Sequence, residues 1–251
     1  MNPAQTRNDK TKDAHAVVER ARDALRSEPH IDAHRTPISL AFDDGVMTVE
    51  GEVADVAAKK LALERVAALP EVIGILDRLH VKPAQRMGDG QIRDHLRNAL
   101  VGEPAFADLA IHEVVKRRDL VAREPAMGAR GVITVAVEDG VVVLNGVVPG
   151  LAQKRLAGVL AWWVPGSRDV INGLAVDPPE ADSDGEITEA VRVALDKDPF
   201  VNDSQVRAST DNSVVTLDGL VPTEAEREMA EFDAWYVFGV DRVIDRIVVR
   251  R

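Results

Sequence analysis

Cysteine is missing from all 251 residues, which excludes disulfides, thiolate metal sites and a cysteine nucleophile. Aromatic residues are scarce, with three tryptophans and one tyrosine in the whole chain. No stretch approaches the roughly 18 consecutive apolar residues of a membrane-spanning helix. Positive charge is in the minority: 31 Lys and Arg against 42 Asp and Glu leave a formal charge of −11. Binding to nucleic acid needs clustered cations at the phosphates, so no nucleic-acid partner is expected. Broad adhesion to anionic membranes is disfavoured on the same ground, although a local basic patch can still act alone. The opening residues, Met1 to Asp13, are polar and hold no apolar run of signal-peptide length. A disordered segment over 1–13 and a cytoplasmic location are therefore expected.

What is present is a repeat. Apolar residues recur at i, i+4, i+7 and i+8 in Val17, Ala21, Ala24 and Leu25. They recur again in Ile92, Leu96, Ala99 and Leu100, and in Ile187, Val191, Ala194 and Leu195. That spacing puts each set on one helical face. Pro29, Pro104 and Pro199 follow each set and end the helix, because proline forces the residue before it out of helical geometry.

A strand–turn–strand pattern comes next, turning at Asp44-Gly45, Asp139-Gly140 and Asn212-Ser213 and closing at Gly51, Gly146 and Gly219. A second helix has apolar positions at 62, 66 and 69, at 157, 161 and 164, and at 230, 234 and 237. A last strand covers Ile75–Val81, Val170–Val176 and Val243–Val249. Gly51 to Asp77, Gly146 to Asn172 and Gly219 to Asp245 are each 26 residues apart. The expected fold is α+β: three tandem αββαβ modules, each a three-stranded mixed sheet covered by two helices.

The modules are expected at 14–81, 91–176 and 186–251. Cleavable, solvated linkers are expected near 82–90 and 177–185. The second module carries about 20 extra residues near 112–131, read as a solvated loop that extends its first strand. Modules of roughly 65 residues have marginal cores, so packing between neighbours is expected.

The hairpins with their closing glycines resemble the BON family, named for a bacterial osmotically induced protein and nodulation proteins. The tail Val164-Pro165-Gly166-Ser167-Arg168-Asp169-Val170-Ile171-Asn172-Gly173-Leu174-Ala175-Val176 carries the same resemblance. The third module repeats it in Val237, Gly239, Val240, Val243, Asp245, Ile247 and Val249, whereas the first has Glu71 where the family prefers glycine. The resemblance implies a non-catalytic protein that binds a phospholipid membrane surface or a partner protein, in envelope or osmotic stress. One relative that adds a LysM domain binds potassium, which makes a potassium or small-ligand sensor the alternative. Self-association is a further expectation.

Catalytic chemistry finds little support. No nucleophile elbow, P-loop, dinucleotide fingerprint or zinc-protease motif occurs. His30 and His34 have a metal-binding i, i+4 spacing but follow Pro29, where the helix has ended, so no metal is expected. No catalytic residue and no cofactor are expected. Asp77, Asn172 and Asp245 share one position and are read as turning or capping their strand.

The candidate binding residues fall in two groups. Lys116, Arg117 and Arg118 make the inserted segment basic within an acidic chain, suiting it to an acidic headgroup or partner surface. Trp162 and Trp163 in the second module, with Phe232, Trp235 and Tyr236 in the third, form stripes facing away from the module's own core. Such stripes either pack against each other or form a binding face.

Overall fold

A computed structural model describes residues 3–31, 37–125 and 127–250. The chain divides into two compact units, 1–82 and 83–251. The second and third modules expected from the sequence thus form one body.

In the first unit, α1 (Pro3–Arg26) leads to β1 (Ser39–Asp43), β2 (Val46–Val53), α2 (Val56–Ala67) and β3 (Gly74–Val81). Helix α1 begins at Pro3, so most of the segment expected to be disordered is helical. Strands β1 and β2 pair antiparallel through the Asp44-Gly45 turn, whose φ angles of 47° and 85° suit a tight hairpin. Strand β3 returns through α2 and pairs parallel to β2, from Val46 beside Gly74 to Val53 beside Val81. Val17, Ala21 and Leu25 of α1 are buried, as are Met47, Val49, Leu61, Ala62, Val66 and Leu79 of the strands and α2.

The second unit repeats this order twice. Its first half holds α3 (Asp89–Gly102), β4 (Ala110–Val115), β5 (Arg118–Arg123), β6 (Val132–Glu138), β7 (Val141–Val148), α4 (Leu151–Trp162), β8 (Asp169–Asn172) and β9 (Ala175–Val176). Its second half holds α5 (Asp184–Lys197), β10 (Val206–Asp211), β11 (Val214–Val221), α6 (Glu224–Tyr236) and β12 (Arg242–Val249). The last strand expected over 170–176 is interrupted at Gly173 and Leu174. There a Cβ on Gly173 would lie 2.7 Å from Asn145 Oδ1, and Leu174 turns into the core.

The closing glycine of each hairpin has a steric cause. A Cβ would lie 2.8 Å from Pro37 O at Gly51, 2.1 Å from Val132 O at Gly146 and 2.2 Å from Gln205 O at Gly219. The neighbouring strand's carbonyl fills the space a side chain would need.

The extra segment of the second module is a hairpin, not a loop. Strand β4 pairs parallel to β6, and β5 folds back antiparallel on β4, extending the sheet to the order β5-β4-β6-β7-β8. The link over 177–185 is exposed along 177–183 and carries no helix or strand before α5, and side-chain contacts tie it to the helices on either side. Glu180 Oε2 accepts the Leu151 N–H at 2.7 Å, capping α4 where Gly150 offers no side chain. Asp182 pairs with Arg155, and Ser183 caps α5.

Candidate functional site

Three positions recur in every module and show what is scaffold. Eight residues after the closing glycine, the second helix carries Lys59, Lys154 or Arg227; twenty-six after it stands Asp77, Asn172 or Asp245. Asp77 Oδ1 accepts the Leu79 N–H at 2.9 Å, and Asp245 Oδ1 accepts the Ile247 N–H at 2.8 Å. The other oxygen of each takes the helix cation, Lys59 at 3.0 Å and Arg227 at 2.6 Å. The hydrogen bond to Asp245 raises the Arg227 pKa. In the second module an amide replaces the acid: Asn172 donates to Lys154 O at 2.8 Å. The Lys154 ammonium instead sits 4.6 Å from the ring centre of Phe238 in the third module.

The residue before each proline forms the third recurring position. Glu28 accepts Arg65 at 2.7 Å, with His30 at 2.9 Å. Burial alone would raise the Glu28 carboxyl, but the hydrogen bonds from His30 and Arg65 outweigh it and hold the pKa low. His30 is therefore engaged with Glu28, while His34 lies outside the described residues. Glu103 accepts Lys197 of the third module at 3.0 Å. Asp198, the acid of the third module, faces no cation among the described residues. Where the first module has Arg65, fourteen residues after the closing glycine, the third has Asp233.

The aromatic stripes lie along the seam between the second and third modules. Trp162 stacks on Tyr236 with centroids 5.9 Å apart and planes 12° apart, and Tyr236 stacks on Phe232 at 6.4 Å. The Trp163 indole donates to Asp233 Oδ1 at 2.8 Å, and its ring packs against the cores of both modules. Val159 of α4 belongs to the third module's core. Trp235 is only 1% exposed, so its ring offers no free binding face. Arg155, also buried, donates from Nε to Phe238 O at 2.9 Å. Burial pushes the Asp233 carboxyl up to about 8; Asp198 beside it adds to the rise, and the Trp163 hydrogen bond opposes it.

The basic residues lie at the other end of the second module's sheet. Lys116 and Arg117 form the turn of the β4–β5 hairpin with φ of 50° and 63°. With Arg118 they are free of ion pairs among the described residues. Beyond them Leu120 is 47% and Val121 61% exposed. Being adjacent in a strand, these two point to opposite faces of the sheet. Arg123 is different: it donates to the carbonyls of Val101, Phe106 and Leu109 and serves the fold. Glu113, on the sheet's inner side, takes Arg93 and Arg97 at 3.5 and 3.6 Å. The hairpin thus presents a basic tip and apolar shoulders on an edge strand.

Among the described residues no three His, Asp or Glu side chains are placed to hold a metal. Nor is any helix among the described residues long and apolar enough to cross a membrane. An open groove of about 490 Å³ is lined by Arg130, Gly150, Gln153, Glu180 and Glu186, but Glu180 is committed to capping α4.

The family model of the BON domain matches residues 118–178 and 183–251. Among curated proteins, osmotically-inducible protein Y of Escherichia coli (strain K12) is 26% identical over 162 residues, 64% of this chain and 72% of that protein. Two structures of CdsD, a structural protein of the Type III secretion system of Chlamydia trachomatis, are 15% identical. Each covers 94% of this chain, with 98% of one (its C-terminal domain) and 92% of the other. The TM-score is 0.24 for each.

Proposed function

Since the chain belongs to the BON-domain family, and its relative is induced by osmotic stress, we propose that it is a non-catalytic stress-response protein that docks on an anionic phospholipid surface through the β4–β5 hairpin. The observation that carries this reading is the tip: three basic residues without ion-pair partners among the described residues, flanked by exposed Leu120 and Val121. Left-handed backbone costs residues other than glycine or asparagine about 1–2 kcal/mol. Lys116 and Arg117 occupy such a turn where Asn-Gly would sit without strain. That cost is understandable if their charge is used. The remaining chain is acidic, but at physiological salt a membrane's field is screened within about 8 Å, so contact is decided by the tip.

Each basic residue near an anionic surface contributes about 1 kcal/mol. Three contribute about 3 kcal/mol, on the order of a hundredfold in affinity. Affinity for phosphatidylglycerol-containing vesicles, read by co-sedimentation, should therefore fall about a hundredfold in the triple variant Lys116→Gln, Arg117→Gln, Arg118→Gln. It should also fall with added salt and be negligible on pure phosphatidylcholine. Equal binding to neutral vesicles, or a triple variant that binds like the parent, contradicts the reading.

A protein partner is favoured by one separate observation. Among the described residues strand β5 pairs with β4 alone and leaves an open edge, to which an extended peptide could add as a further strand. Binding of that kind would depend weakly on lipid.

A further inference from the structure

We propose that Asp233, carrying a proton directed at Asp198, acts as a pH-sensitive latch between the second and third modules. The two residues close the ends of different elements: Asp198 caps α5, and Asp233 sits in the last turn of α6. Both are buried, at 4% and 0% exposure. One oxygen of each is occupied, Asp198 Oδ1 by the Phe200 N–H at 2.8 Å and Asp233 Oδ1 by the Trp163 indole at 2.8 Å. The Oδ2 atom of each is buried and lacks a donor. The two carboxyls are hydrogen-bonding neighbours, so a proton on one supplies the donor that both spare oxygens lack.

The other charged groups around the seam are already committed. From α4, Arg155 is held through Nη2 by Asp182 and through Nε by Phe238 O, while its Nη1 is buried without a hydrogen-bond partner. From the end of α5, Lys197 is held by Glu103, while Asp196 is exposed. From α6, Glu231 accepts the Trp235 indole at 3.4 Å. Burial, Trp163 and Asp198 set the Asp233 pKa, and no cation contributes to it among the described residues. The first module shows the alternative at the same place, an Arg65–Glu28 pair that requires no proton. In the second module Leu160 fills the corresponding position, and Glu103 takes its cation from across the seam. The third module has exchanged a cation for a second acid and directed that acid at the neighbouring module's Trp163.

Losing the proton leaves two buried negative charges against each other, which separation of α4 from α6 would relieve by letting in water. The closed state holds the proton between the ordinary carboxylate pKa of 3.8 and the raised value of about 8, whereas the opened state has released it. Closure is therefore strongest at the acid end of this window and weakens as pH rises through it. With one proton released per opening, the opening constant increases up to tenfold per pH unit.

Two of the chain's three tryptophans report on the seam directly, since Trp162 and Trp163 lie on it. In the full-length protein, tryptophan emission and amide exchange of 224–236, the latter corrected for intrinsic rates, should show opening that grows between pH 6 and 9. Asp233→Asn and Asp198→Asn each put a permanent amide donor where the proton was, and both should flatten the dependence while keeping the folded spectrum at pH 6. A parent protein that shows no change over this range, or a slope that survives in either variant, overturns the proposal.

Discussion

Removing the Trp162 and Tyr236 rings singly and together measures how the second and third modules are joined. Both rings are half-buried, and they stack at 5.9 Å with nearly parallel planes. Truncating a fully buried aromatic to alanine costs about 3–5 kcal/mol, so half-burial scales each single change to about 1.5–2.5 kcal/mol. A stacked pair contributes about 0.5–1.5 kcal/mol beyond its area. Trp162→Ala with Tyr236→Ala should therefore be less destabilising than the sum of the two singles by that amount. Urea unfolding followed by far-ultraviolet circular dichroism supplies the four free energies without relying on the removed fluorophore. Trp162→Ala with Leu120→Ala, on the hairpin shoulder, is the control and should be additive. Additivity within about 0.3 kcal/mol for Trp162 and Tyr236 would refute the stacked seam.

Two further outcomes follow from the backbone. Gly146→Ala places a Cβ 2.1 Å from Val132 O, forces β6 away from β7 and should cost at least about 2 kcal/mol in the same unfolding assay; a change under about 0.5 kcal/mol would contradict the close approach. Limited proteolysis should cut near the exposed Lys82, Ala84 and Arg86 before 177–185, because Glu180 and Asp182 pin the second link to α4. First release of the third module would refute that pinning.

The repeat was legible because its signals are local and periodic. Helix faces such as Ile92, Leu96 and Leu100 are fully buried as their spacing requires. The positions of Gly51, Gly146 and Gly219 mark the same backbone approach three times. The β4–β5 hairpin was silent in the sequence for a physical reason: its turn residues are Lys116 and Arg117, neither of which signals left-handed backbone. Its edge strand, Arg118-Asp119-Leu120-Val121-Ala122-Arg123, also lacks a two-residue alternation. The seam was half legible. Helical angles show that Trp162 leaves its own core, but only three dimensions supply Tyr236 as its neighbour and place Val159 in the third module's core. The Asp198–Asp233 pair spans 35 residues and joins two helix ends, so no local pattern reveals it. Aligning the modules on their closing glycines, with Arg65, Leu160 and Asp233 in one column, would have marked the exchange of cation for acid.

Hydrogen exchange of the full-length protein with and without phosphatidylglycerol-containing vesicles tests the proposed docking most directly. Edge strand β5 has one unpaired side, so its outward amides exchange readily in the free protein. Bound to the vesicles, residues 114–123 should gain protection while α4 and α6 exchange as before. Protection that falls on other surfaces, with 114–123 unchanged in a vesicle-bound protein, would contradict docking through the hairpin.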